Sequence, residues 1–352
     1  MGRLLSCRAP PGIGWRTAFT DTDPPPRPMP EDPLSASFVS EASSERARTL
    51  HASYKRMMLE HFLRAIDSAA EGLGQDLAHI RSRIERLDPN ERFSPGAYEA
   101  MTRLAAALQS GNVTDVADSL KHIQVAPDEL FHDGHFRIDS ALSEVWERSV
   151  VLNARHDVSE GEDDALILRP ILDKDPSHRF TAAFTALQYL EQADRGLADE
   201  FREYIARVKL FTGRGYLGFS SPRAFGAIYM RLPDENPVEY FLEHLVHELS
   251  HLDLNLLMAH DPLLENPTDR HDAPLREEQR PLFQVLHATY VLGRNVRVTR
   301  RIVESGSELD CKEQLAEFER DYANGYRVIE SHARWTDRGR QVFESLETPE
   351  SA

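Results

Sequence analysis

Two histidines four residues apart, His247 and His251, carry the strongest chemical signal in this 352-residue chain. On a helix, residues i and i+4 lie one turn apart on the same face, so two imidazoles can converge on one metal ion. Glu248 projects from the same turn, where a carboxylate can act as a base or as a partner that orients a ligand. The surrounding segment is rich in the same side chain. Six of the 15 histidines (His244, His247, His251, His260, His271 and His287) fall between residues 244 and 287. Of these, His244, His260 and His271 read as satisfied core or surface histidines. With only Cys7 and Cys311 in the chain, a four-cysteine site and a disulfide framework are both excluded. Cys311 reads as structural.

The elements that must position this pair are legible nearby. Asn236-Pro237-Val238-Glu239 reads as a helix start, with an Asn N-cap, Pro at the first helical position and Glu at the third. Leu242, Leu245, Leu249, Leu252 and Leu256 then mark an apolar stripe at spacings of three and four. Upstream, Tyr216 to Ser220 alternates, Ser221-Pro222 turns the chain, and Phe225 to Leu232 resumes as an extended run. The pattern predicts a short antiparallel hairpin directly before the HExxH helix. Asp253, Leu254 and Leu257 occupy the positions of the extended HExxHxxGxxH zinc-protease pattern, so a third ligand must come from downstream. In a zinc metallopeptidase, Glu277, Glu278 or Glu304 would join the two histidines and Glu248 would deprotonate the bound water. His332 is a further candidate ligand. An edge strand of the hairpin could pair with an extended peptide.

Farther on stand Pro274, Arg276, Arg280, Pro281, Leu286 and His287. With the HExxH segment, they make residues 225–300 resemble the HExxH-type peptide β-hydroxylases that use iron and 2-oxoglutarate. In that family the HExxH helix is followed by a loop with a P-W-R-x-D-x-R-P-like motif and then a helix with a Leu-His pair. This chain has Leu275 in place of Trp, Glu278 near the acidic position and Ala288 where Gly is common. The resemblance implies Fe(II) held by His247, His251 and His287, with Glu248 an orienting residue. It further implies 2-oxoglutarate as cosubstrate and a peptide or carrier-bound amino acid hydroxylated at a β-carbon. Three protein ligands leave octahedral positions for a chelating 2-oxo acid and O₂. The cosubstrate's far carboxylate needs a guanidinium, for which Arg280 is the first candidate and Arg276 the second. A non-enzymatic helical binding protein with an accidental HExxH is the remaining reading.

The rest of the chain bounds these possibilities. Against 41 basic residues stand 58 acidic ones, a formal charge of −17. That disfavours nucleic acid and anionic lipid as partners. No apolar run approaches the ~18–20 residues of a membrane span, so the expectation is a cytoplasmic globular protein. Eight of the 21 prolines precede residue 34, and residues 1–40 read as a disordered Pro-rich arm. From Ser44 onward apolar residues recur at helical spacing, with a break at Gly111-Asn112, a polar loop from His156 to Asp164 and a long helix from Thr181 to Lys209. Arg294, Arg297, Arg300 and Arg301 read as a solvated, salt-bridged helix face near Glu304 and Glu308, with a peptide-docking patch the sharper alternative. The predicted fold is mainly α (α+β), one domain over 41–346, with the metal site built by 236–303.

Overall fold

Thirty residues form the first helix, α1 (Ser44–Leu73), and its two ends show why it starts and stops there. The Ser43 hydroxyl accepts the Arg46 N–H at 3.2 Å, satisfying a donor that the helix itself leaves orphaned. Gly74 closes the other end at φ +61°, a backbone conformation that glycine adopts without a Cβ penalty. Leu50, Tyr54, Met58, Phe62 and Ile66 give α1 its buried stripe. The structure is a computed structural model that describes residues 34–125, 135–158, 167–171, 177–233, 237–274 and 276–349.

The fold is mainly α with a small sheet, 64% helical with 11 helices among the described residues. Helices α2 (Ala78–Glu85), α3 (Pro95–Ser110) and α4 (Val113–Val125) follow α1, with the expected break at Gly111 between the last two. Next come strand β1 (Arg137–Ser140), helix α5 (Glu147–Val158), strand β2 (Ile167–Arg169) and helices α6 (Ser177–Ala193) and α7 (Arg195–Tyr204). Strands β3 (Arg207–Arg214), β4 (Gly218–Ser220) and β5 (Ala227–Arg231) complete the sheet. Helix α8 (Val238–His260) carries the HExxH segment. A two-stranded ribbon of β6 (Arg270–Ala273) and β7 (Arg276–Pro281) separates it from α9 (Leu282–Glu304), and α10 (Lys312–His332) and α11 (Asp337–Glu344) close the chain.

The hairpin expected before the HExxH helix is present: β4 and β5 pair antiparallel, with Phe219 opposite Tyr229. It belongs to a larger sheet than expected. The strand order is β1-β3-β5-β4, and β2 pairs with β3 off that path. The β1–β3 and β3–β5 pairs are parallel, so β4 and β2 are the antiparallel members. The helix expected over Thr181 to Lys209 takes in the first three residues of β3. The single long helix is instead α6 and α7, broken at Asp194, whose carboxylate caps α7 by accepting the Leu197 N–H at 3.0 Å. Every residue from Ile205 to Phe211 is buried, including Arg207 and Lys209, which lie inside on ion pairs with Glu144 and Asp139; charges at alternate positions disguise a strand that is buried on both faces.

Other boundaries shift. Helix α8 begins at Val238, with Pro237 extended at φ −72°, ψ 144° as its N-cap; Asn236 lies outside the described residues. Pro281 is likewise the N-cap of α9. The segment read as a loop before α9 is the β6–β7 ribbon. Helix α5 runs to Val158, into the predicted loop, and 159–164 lie outside the described residues. So do residues 1–33 of the Pro-rich arm. Its last residues pack: Phe38 is fully buried, and Ser40 exchanges two hydrogen bonds of 2.6 Å with Ser345 after α11. One apolar core runs from Leu34 to Leu346, with a smaller cluster on the sheet around Trp146, Phe211 and Tyr229.

Candidate metal centre

The apolar stripe predicted for α8 is fully inside, with Leu242, Leu245, Leu249, Leu252 and Leu256 buried, and this sets the azimuth of everything else on the helix. His247 and His251 share a face, their Nε2 atoms 3.1 Å apart. Two nitrogens each ~2.1 Å from one ion, at an angle of roughly 95°, would show about that separation. Across from α8, His287 on the second turn of α9 brings its Nδ1 to 3.4 Å from His251 Nδ1, with the two ring centroids 5.7 Å apart. The structure therefore gathers all three expected ligands.

They form a chain and do not converge on one point. His251 uses Nε2 toward His247 and Nδ1 toward His287, while Nε2 of His287 faces the Met258 sulfur at 3.1 Å. Among the described residues no three His, Cys, Asp or Glu donors are set around a common point. The Nε2 separation of His247 and His251 suits one ion as it stands, whereas His287 stands against the other nitrogen of the His251 ring.

Burial makes all three good ligands. Desolvation lowers His247 well below the usual imidazole range, with His251 and His244 adding to it. It takes His251 to about 3, with help from His287, and His287 to about 4. Each is neutral near pH 7 and keeps a lone pair for a metal without first losing a proton.

Glu248 turns toward the sheet. It is 1% exposed, and Ser220 on β4 donates Oγ–H to its Oε2 at 2.8 Å. Gly218 leaves the room: a Cβ there would stand 3.1 Å from Glu248 Oε1 and 3.4 Å from the His244 ring. His244 is satisfied as expected, Nδ1 against the Tyr240 carbonyl at 2.8 Å. His260 is not, because its buried Nε2 has no hydrogen-bond partner. His271 and His332 stack on each other with centroids 4.1 Å apart, which commits His332 to the β6–β7 ribbon and away from the α8 pair.

Arg280 lies on β7 opposite His271 and pairs with the exposed Glu278 at 3.1 Å. Its Nε is buried and lacks a hydrogen-bond partner. Among the described residues no hydrogen bond ties Arg280 to the three histidines. The Arg276 and Glu277 side chains lie outside the described residues. Glu304 is exposed at the end of α9, 17 residues and so ~25 Å along the helix from His287.

The arginine run on α9 departs from its reading as a solvated face. Arg294 is 1% exposed and belongs to a four-helix ion-pair group. It bonds Glu200 of α7 at 2.8 Å, and Arg46 of α1 bonds both Glu200 at 3.0 Å and Asp253 of α8 at 2.8 Å. The hydroxyls of Tyr204 and Tyr290 also donate to Asp253. Burial raises the Asp253 carboxyl, but Arg46 and Arg294 outweigh it and hold it at about 2. Arg297 is buried on Asp194 at 3.1 Å, and Arg301 reaches the same carboxylate. Arg301, with its side chain 47% exposed, and Arg300, which pairs with Glu319 and Glu347, fit the surface description. None of the four pairs with Glu304 or Glu308 among the described residues. The sequence reading also missed Ser220, Gly218, Met258 and the Asp253 group, each defined by a partner distant in the chain.

Compared with known proteins, the chain matches no family model and no curated protein.

Proposed function

We propose that the chain is an Fe(II)/2-oxoglutarate-dependent hydroxylase acting at a β-carbon of a peptide or carrier-bound amino acid. The observation that carries this reading is His287 of α9 standing beside the pair, 3.4 Å from His251, a third neutral imidazole where a peptidase would need an acid or an open position. When bound, iron(II) would supply the O₂ activation that converts 2-oxoglutarate to succinate and CO₂ and removes the substrate hydrogen atom. His247, His251 and His287 would hold it. Burial of His251 and His287, 7% and 4% exposed, excludes water from their side of the centre. Glu248 spends one oxygen on Ser220, which suits a residue that orients the HExxH turn better than one that must take a proton from water. Arg280, with a buried Nε still free of hydrogen bonds, is the candidate for the far carboxylate of 2-oxoglutarate. No helix among the described residues is long and apolar enough to cross a membrane, in keeping with a cytoplasmic substrate.

The zinc metallopeptidase is the competing reading, favoured by the convergent His247–His251 pair. Of its candidate acidic ligands, Glu304 is far along α9 and Glu278 is turned to solvent, 79% exposed. Anaerobic titration with Fe(II), then 2-oxoglutarate, separates the two. The hydroxylase binds one iron and shows the visible charge-transfer band of a 2-oxo acid chelate. His287→Ala loses both, and Glu248→Gln keeps the metal. Absence of 2-oxoglutarate turnover with every candidate peptide, together with full metal affinity in His287→Ala, sinks this reading. Zinc-dependent peptide cleavage abolished by Glu248→Gln would put the peptidase in its place.

A further inference from the structure

Remote in sequence from the histidines, a cavity of about 290 Å³ opens between α3, α4 and α5, with Arg223 before β5 reaching its wall. Its buried part is acidic. Glu99 of α3 lines it while only 4% exposed. Ser149 of α5 donates to Glu99 Oε1 at 2.5 Å, but Oε2 is buried and accepts no hydrogen bond. Nε2 of His122 on α4 stands 4.0 Å from that oxygen and is equally buried and unbonded. A buried carboxylate oxygen without a donor is costly to the fold, and Glu99 lines a cavity from which a ligand could supply one. At the mouth are the guanidinium groups of Arg103 and Arg223, neither ion-paired among the described residues, together with Asp115 and Asp118.

We propose that this cavity is a binding site for a free amino acid, its ammonium group seated on Glu99 and its carboxylate held at the mouth by Arg103 and Arg223. An ammonium brings three donors and no acceptor, which suits the Glu99 carboxylate and the Thr102 hydroxyl in the same wall. A guanidinium fork matches a carboxylate. Asp115 and Asp118 repel a simple anion, so the ligand must bring its own positive charge. The volume, about 290 Å³, lies just below the ~300–1,000 Å³ of small-molecule sites, which suits a ligand as small as an amino acid. The site stands independently of any metal at His247 and His251.

Isothermal titration of the full chain with each of the twenty amino acids tests this, repeating each positive with its N-acetyl and amide derivatives and with methylamine. At least one amino acid binds saturably at one site per chain. N-acetylation abolishes that binding, and amidation weakens it at least tenfold. Glu99→Gln weakens it at least tenfold, and so does Arg103→Ala, a surface change that leaves Tm unaltered and so keeps the result from being a folding effect. No binding by any amino acid up to ~10 mM, a limit of about −3 kcal/mol, overturns the proposal. So does binding that survives N-acetylation, is matched by methylamine, or is unchanged in Arg103→Ala.

Discussion

A buried imidazole gives up its proton more readily than an exposed one, and at His247, His251 and His287 this turns packing into ligand chemistry. The same burial makes orientation matter, because a dry side chain relies on the few partners the fold provides. Glu248 has such a partner in Ser220, 28 residues earlier in the chain. Ser220→Ala removes that donor while keeping the strand. Ser220 acts on the centre only through Glu248, which is not itself a ligand, so Fe(II) binding should weaken by less than the ~10–100-fold typical of direct partners of ligands, read by competition with a chelating indicator, with circular dichroism unchanged. Equal affinity in the variant would mean that Glu248 does not orient the centre. At this scale the sequence was informative where geometry is local. The i, i+4 pair follows from helix pitch alone, whereas Ser220, Gly218 and Met258 acquire their roles only when separate elements meet.

Between elements, the question is what keeps α8 and α9 in the register that sets His251 against His287. Asp253 lies two residues beyond His251, and Tyr290 three beyond His287; the two are hydrogen-bonded. Through Arg46 and Glu200 the same group ties in α1 and α7. Removing one member of a buried ionic group leaves its partners charged and dry, at a cost of ~3–5 kcal/mol. An exposed pair is worth ~1 kcal/mol or less. Asp253→Ala should therefore cost roughly 3–5 kcal/mol in urea unfolding. Arg300→Ala, on the same helix but in surface pairs with Glu319 and Glu347, should cost under ~1 kcal/mol. Comparable losses would contradict the burial argument. The arginine run shows why this was illegible: Arg294 and Arg300 look alike in sequence, and only tertiary packing decides which is core. The same limit hid β3, where only tertiary packing shows that Arg207 and Lys209 are buried beside Val208 and Leu210.

Among the described residues of the whole molecule, burial is neutral in charge. Arg46, Lys55, Arg207, Lys209, Arg294 and Arg297 are buried, and so are Glu99, Glu147, Asp194, Glu200, Glu248 and Asp253. The formal −17 therefore lies outside the described core. Titrating groups shape stability from both sides of neutrality. His51, His244, His251 and His287 sit at about 4, 4, 3 and 4 when folded, below the ~6.5 of an unfolded chain. The unfolded state binds more protons in that window, so stability falls as pH drops below ~6.5. Glu243 of α8, hydrogen-bonded by Gln314 of α10, behaves oppositely, pushed up by burial to about 7. Here the folded state holds the proton, so stability falls as pH rises from the unfolded value of ~4.3 through 7, by up to about 3 kcal/mol. Glu243→Gln should raise stability at pH 8 by up to that ~3 kcal/mol and change little at pH 4, measured by urea unfolding at both pH values. An equal effect at the two would rule out ionisation as the cause.

The clasp between Ser40 and Ser345 joins residues 305 apart in sequence, and Phe38 lies buried beside it, under the Arg338 guanidinium. During synthesis at ~5–20 residues per second, the segment that leads into α1 emerges long before its docking surface exists. The wait is at least ~15 s for the intervening chain. The first residues to join the core are thus among the last to find their place, and until then the apolar face around Phe38 is exposed to whatever else the nascent chain meets.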